Sequence, residues 1–169
     1  MELFDTIFNR RSIRSYKPGE ISDEQVQQML KAAMFAPSAS NNQPWHFIVI
    51  RDRKILDEIP SFHPSSNMLK DAVLAILVCG YVDKNRLPGY WMIDCANATQ
   101  NLLLATHALG LGAVWLGITP NPQRMAGMLK LLPLPEDVQP FALISLGIPA
   151  EIPPQPERFK PERIHFDRW

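Results

Sequence analysis

The stretch from Tyr90 to Leu109, YWMIDCANATQNLLLATHAL, constrains the fold of this chain more than any other. It is compatible with a helix and nearly apolar all round the helical wheel. A helix without a polar face has to be covered on all sides. In a chain of 169 residues, one sheet and a few flanking helices do not enclose it, so cover from a second subunit is expected. Gly110 follows as the helix stop.

The flanking segments supply the rest of an α+β domain. WHFIVI at 45–50 and AVLAILVC at 72–79 are short, apolar and rich in β-branched residues, which predicts buried strands at the centre of a sheet. AVWLGI at 113–118 and FALISLGIP at 141–149 predict two more. Leu3, Phe4, Ile7 and Phe8 recur at helical spacing, and the helix they predict delivers Arg10 and Arg11 at its C-terminal end. SDEQVQQMLKAA opens on a capping box, Ser22 with Gln25, and places Val26, Met29, Leu30 and Ala33 on one face before Pro37 ends the helix. A further short helix begins at Asn121-Pro122. With 46% hydrophobic residues, a single domain over 1–169 is expected. Five of the sixteen prolines lie between 149 and 163, so residues from about 150 to 169 read as an extended tail whose closing aromatics need a surface to dock on.

Seventeen basic residues balance seventeen acidic ones, which argues against nonspecific nucleic-acid or anionic-membrane binding and leaves the arginine cluster as a local feature for a small partner. No leader pattern opens the chain and no apolar run is long enough to span a bilayer, so a cytoplasmic protein is expected. Cys79 and Cys95 lack redox spacing and read as buried free thiols.

Two segments bear polar groups in unusual density. Arg10, Arg11, Ser12 and Arg14 lie within RRSIR; the two planar forks of Arg10 and Arg14 with the Ser12 hydroxyl suit a phosphate or phosphate ester, and the alternative is a solvated charged turn. PSASNNQPW at 37–45 offers small residues and amides held between prolines, suited to recognising a polyhydroxylated or heteroaromatic ligand, or simply a hydrogen-bonded turn into a strand. GxGxxG, GxxxxGK[ST] and GxSxG are missing, and His46, His63, His107 and His165 lack metal spacing and read as satisfied or exposed. No nucleophile stands with a base, so an enzyme of this sequence needs a cofactor for its chemistry.

RRSIRSY, APSASNNQPWHFIVI and DCANATQNLLLATHALGLGAVWLG, with the closing SLGIPAE and basic tail, together resemble the nitroreductase family dependent on flavin mononucleotide (FMN), over nearly the whole chain. The resemblance implies a central, mostly antiparallel mixed sheet flanked by helices, in an intertwined homodimer with exchanged C-terminal tails and two interfacial flavins. It puts Arg10, Arg11, Ser12 and Arg14 on the flavin, Arg10 and Ser12 at phosphate or ribityl and Arg14 near the pyrimidine edge. Pro37, Ser38, Ala39 and Asn41 would come from the other subunit. Asn67 and Lys70 match a pair that approaches the ring and substrate, Trp115, Leu116 and Gly117 match the segment along the isoalloxazine, and Arg158 and Lys160 match basic residues that close on the phosphate.

The same resemblance implies transfer of hydride from NADH or NADPH, through flavin N5, to flat electron-poor acceptors such as nitroaromatics or quinones, in ping-pong order. Other readings are a member with a dedicated reaction, an FMN-binding module for sensing, storage or electron transfer with little turnover, and a domain binding some other phosphate compound. Two departures stand out: the chain lacks the extra helices that larger members insert before AVWLG, and WLGITP carries no acidic residue. Lys84 and Arg86 give no distinct site for a 2′-phosphate and read equally as surface charge.

Overall fold

The computed structural model describes residues 2–82 and 89–169, so Lys84 and Arg86 lie outside the described residues. In chain order the elements are α1 (Leu3–Asn9), β1 (Tyr16–Lys17), α2 (Asp23–Met34), β2 (Trp45–Ile50), α3 (Arg53–Glu58), β3 (Leu74–Tyr81), α4 (Tyr90–Ala108), β4 (Gly112–Gly117), α5 (Pro122–Leu131) and β5 (Val138–Pro149). The strands make one sheet in the order β1-β5-β3-β2, with β4 also on β5. Every strand pair is antiparallel; a single parallel bridge joins Ser12 to Ala113.

The sheet is organised around β5, long enough to pair with β3 from Val138 to Leu146 and with β4 from Ala142 to Gly147, and then with β1 at Ile148 and Pro149. This corrects the expectation that WHFIVI lies at the centre. Among the described residues β2 pairs only with β3, and it exposes His46 and Val49, whereas β3 is buried from Leu74 to Gly80. Apolar composition alone does not separate a strand covered by neighbours on both edges from one covered by helices.

Alternate residues of β3 serve opposite faces. Leu74, Ile76 and Val78 pack with Val26 and Met29 of α2 and Cys95, Ala98 and Leu102 of α4. Ala75, Leu77 and Cys79 pack with Leu56, Leu69 and Met128 on the other side. Two-residue periodicity therefore builds a helix–sheet–helix sandwich from one strand.

The capping signals operate as the sequence implies. Ser22 Oγ accepts the Gln25 N–H at 3.2 Å while Gln25 Oε1 accepts the Ser22 N–H at 3.0 Å. Asn121 Oδ1 accepts the Arg124 N–H at 3.1 Å. After α4, Gly110 takes φ of 73° and the Gly110 and Leu111 N–H groups bond to His107 O and Thr106 O, a Schellman stop that favours glycine at this position.

Two helices carry apolar surface that the chain itself leaves uncovered. α1 turns Thr6 inward and its apolar residues outward, with Phe4 67% exposed and stacked on Phe8. α4 buries Cys95, Ala98, Leu102 and Leu103 but leaves Ile93 57% exposed. Its buried threonines bond back to their own helix, Thr99 to Cys95 O and Thr106 to Leu102 O, which satisfies hydroxyls with no water to take them. Beyond Pro149 the chain has no helix or strand apart from a short turn at Pro161–Arg163, and Ile152, Phe166 and Trp169 are exposed. Both cysteines are buried and free, and burial pushes each thiol up to about 12.

Candidate functional site

The arginine segment leaves α1 and runs along the edge of β4. The Ile13 N–H donates to Ala113 O at 2.9 Å, and Ile13 rests on Gly112, where a Cβ would come within 2.9 Å of it. Tyr16 is buried with its hydroxyl 3.0 Å from Ile13 O and 3.2 Å from Ser145 O, and burial pushes it up to about 12. These apolar anchors fix the strand-like path, so Arg10, Arg11 and Ser12 are half-buried and Arg14 is exposed.

The start of the tail locks this segment from the other side. Ala150 N–H donates to Ser15 O at 2.9 Å, and Glu151 Oε1 accepts the Arg14 and Ser15 N–H groups at 2.6 and 3.1 Å. Arg11 donates to Pro154 O at 3.2 Å and to Arg10 O at 2.7 Å. Burial, then the charges of Arg158 and Arg11, hold Arg10 below the ordinary arginine range. Among the described residues none of the three has a salt-bridge partner. Between α1 and the tail lies a cleft of about 710 Å³ lined by Ile7, Phe8, Arg11, Arg158 and Phe159. Lys160, grouped with Arg158 by sequence, lies 4.0 Å from Glu162 at the surface.

His107, in the last turn of α4, faces the same cluster: burial and then Arg10 and Arg11 push it below the ordinary histidine range, and its buried Nε2 has no partner. The expectation that each histidine is satisfied or exposed fails here. It holds only in part at His63, whose Nε2 meets Gly117 O while its buried Nδ1 has no partner among the described residues.

The 36–43 loop is held by its own side chains and by contacts from α4 to its backbone. Ser40, Asn41 and Gln43 have φ of 51°, 53° and 47°. Ser38 Oγ accepts the Gln43 N–H at 3.0 Å, and Asn41 Oδ1 accepts from Gln43 Nε2 at 3.2 Å. Buried Asp94 accepts the Ala39 N–H at 2.9 Å, while Asn97 donates to Pro37 O at 3.3 Å. Within one chain no hydrogen bond or salt bridge among the described residues joins this loop to the arginine segment.

A third group gathers at the end of β4. Trp115 is half-buried and meets Phe141 edge-on at 5.6 Å, whereas the Leu116 side chain is in the core, so Leu116 can offer a ligand only its backbone. Gly117 O accepts from Arg124 at 2.8 Å and stands 3.1 Å from His63 Nε2; since a carbonyl only accepts, Nε2 carries the proton. His63 O in turn accepts the Ser66 N–H and hydroxyl, at the start of the turn that exposes Asn67 and Lys70. Through His63, the structure joins Ser66, the residue before Asn67, to Gly117. Sequence reasoning missed His63, Asp94, Asn97, Arg124 and Glu151; Asp94 was visible as the lone charge in an apolar helix.

Among the described residues no three of His, Cys, Asp and Glu gather as metal ligands would, and no helix is long and apolar enough to cross a membrane.

The sequence profile of the Nitroreductase family matches residues 7–77 and 63–148. The chain is 47% identical, over all of its length and 88% of the relative's, to a candidate NADH dehydrogenase/NAD(P)H nitroreductase of Methanothermobacter thermautotrophicus. Its fold superposes with TM-score 0.93 and 38% identity on a crystal structure bearing the same description from Parabacteroides distasonis, covering 98% of each chain. A Desulfovibrio desulfuricans nitroreductase-type protein crystallised in complex with FMN gives TM-score 0.84 at 33% identity, over 98% of this chain and 96% of that one.

Proposed function

Because the chain belongs to the nitroreductase family, we propose that it is an FMN-dependent oxidoreductase passing hydride from NADH or NADPH to electron-poor acceptors such as nitroaromatics or quinones. The observation that carries the reading is the convergence of Arg10, Arg11 and Arg158 without a carboxylate salt-bridged to any of them among the described residues. Such mutual repulsion is relieved by a phosphate, which two guanidinium forks bind bidentately.

The residues fit FMN at both ends. Arg10, Arg11, Ser12 and Arg158 would hold its phosphate and ribityl chain, with Lys160 beside them as the second basic residue of the tail. Arg14, exposed while its backbone is pinned by Glu151, would lie at the pyrimidine edge, where a cation favours negative charge in the reduced ring. Backbone of Trp115, Leu116 and Gly117 would flank the ring, with Asn67 and Lys70 facing the incoming acceptor. FMN held there would supply the two-electron hydride chemistry. The protein's part is to hold one flat slot dry, in which nicotinamide and acceptor stack in turn, and this gives ping-pong order.

Pro37, Ser38, Ala39 and Asn41 would reach that flavin from a second copy of the chain. The uncovered apolar faces of α1 and α4 and the exposed tail support a homodimer in which residues 150–169 wrap the partner. Contiguous exposed apolar surface of this kind is characteristic of an interface.

The deciding measurement is the absorption spectrum of the purified protein before and after anaerobic NADH or NADPH. Oxidised-flavin bands that bleach, and return when a nitroaromatic or quinone is added, are expected. Bands that persist would favour a binding module, and protein that stays colourless after FMN is supplied would overturn the reading.

A further inference from the structure

We propose that Asp94 is a positioning residue for the flavin site, its buried carboxylate fixing the 36–41 loop in the one shape that presents Ser38, Ala39 and Asn41. This rests on the FMN reading above. Asp94 is 2% exposed and its Oδ1 lies 2.9 Å from the Ala39 nitrogen.

Asp94 does not act alone. Asp94, Asn97 and Asn101 are spaced i, i+3 and i+7, which aligns them on one face of α4. Asn97 donates to Pro37 O at 3.3 Å and Asn101 to Ala32 O at 3.1 Å. The acceptor meets an N–H and the two donors meet carbonyls, so this polar row on α4 follows the course of the backbone from the end of α2 into the loop. No side chain of the loop is involved in these three contacts.

The loop needs such a clamp. Ser40, Asn41 and Gln43 are non-glycine residues in the left-handed region, a conformation that persists where surrounding contacts over-determine it and that gathers at ligand clamps. The Asn41 and Asn42 N–H groups bond to Ser38 O and Ala39 O, so the two turns start at Ser38, between the residues that Asn97 and Asp94 hold, and at Ala39, which Asp94 holds. A neutral side chain could have filled the space. A carboxylate accepts a backbone N–H about twice as strongly as a neutral acceptor does, and its burial is costly unless that bond is made.

The test compares FMN binding to wild-type protein, Asp94→Ala, Asp94→Asn and Asn97→Ala by flavin fluorescence quenching, with visible circular dichroism of the flavin-saturated forms. Asp94→Ala is expected to weaken FMN binding by about tenfold or more and to alter the flavin dichroism. Asp94→Asn keeps an acceptor and should recover most of the affinity. Asn97→Ala should show a smaller loss in the same direction, and it carries the test if Asp94→Ala fails to fold. Wild-type affinity and dichroism in Asp94→Ala, or equal losses in the Ala and Asn variants, would overturn the role of Asp94 while leaving the FMN reading intact. Absence of FMN binding by the wild-type protein would overturn that reading and the proposal with it.

Discussion

Glu151 places one carboxylate oxygen 2.6 Å from the Arg14 nitrogen and so joins the first turn of the tail to a segment 137 positions earlier in the chain. The same oxygen accepts the Ser15 N–H at 3.1 Å. Two successive N–H groups thus receive an internal anion, which leaves the guanidinium of Arg14 uncommitted. Glu151→Ala should loosen the arginine segment and lower FMN affinity by about tenfold, the scale of one charge-assisted hydrogen bond. Glu151→Gln, retaining an acceptor, should lose less; quenching titrations measure both.

Gly80 lies against the Trp91 ring, where an added Cβ would overlap the indole and come to 3.0 Å from Cys95 Sγ. Trp91 packs on Phe141, which packs on Trp115. Gly80→Ala should therefore destabilise the chain by about 1–3 kcal/mol and shift tryptophan emission. Denaturant titration followed by fluorescence reads both, and unchanged emission would show that the added methyl does not displace Trp91.

Ser22 caps α2 far from the arginine cluster. Ser22→Ala leaves the Gln25 N–H without its side-chain acceptor and should cost about 1 kcal/mol, with FMN affinity unchanged. Thermal unfolding of the flavin-free protein, beside a binding titration, separates the two effects.

Burial, and then the Arg124 charge, push His63 below the ordinary histidine range, and His107 is shifted the same way. The fold favours both neutral rings, so the unfolded chain takes up protons first as pH falls. Their contribution to stability is present above about pH 6.5 and is lost as pH drops below that value towards the lower native one. Melting temperature should decline from pH 7 to pH 5, and His63→Gln should flatten that decline even if it melts lower at pH 7. Parallel wild-type and variant curves would exclude His63 as a source.

Ile7 sits among the outward residues of α1 and lines the cleft beneath the tail. Ile7→Lys puts a charge where the proposed dimer would exclude water, and is expected to shift the protein towards monomer in sedimentation velocity and to lower flavin retention in parallel. Loss of flavin without change in mass would locate the defect in the cleft alone.

Much of this architecture follows from the sequence because it depends on neighbours. WHFIVI forms β2 at the residues read from its composition, the Ser22–Gln25 box opens α2, and Gly110 stops α4. The polar segments of the candidate site were equally visible, since RRSIR and PSASNN are dense in groups that an apolar core cannot hold. The antiparallel α+β arrangement and the family were legible from the order of these motifs.

Tertiary structure alone decided the rest. Strand composition reports burial, not neighbours, so only pairing shows that β5 organises the sheet and that β2 lies at its edge. Helical spacing in α1 marks an apolar stripe without saying whether it faces the chain's own core or outwards, and here it faces outwards. The roles of Glu151, Asp94 and the His63–Gly117 contact stayed hidden because each acts on backbone. Nearly every residue offers the same N–H and C=O, so only the folded path determines which of them a distant side chain meets.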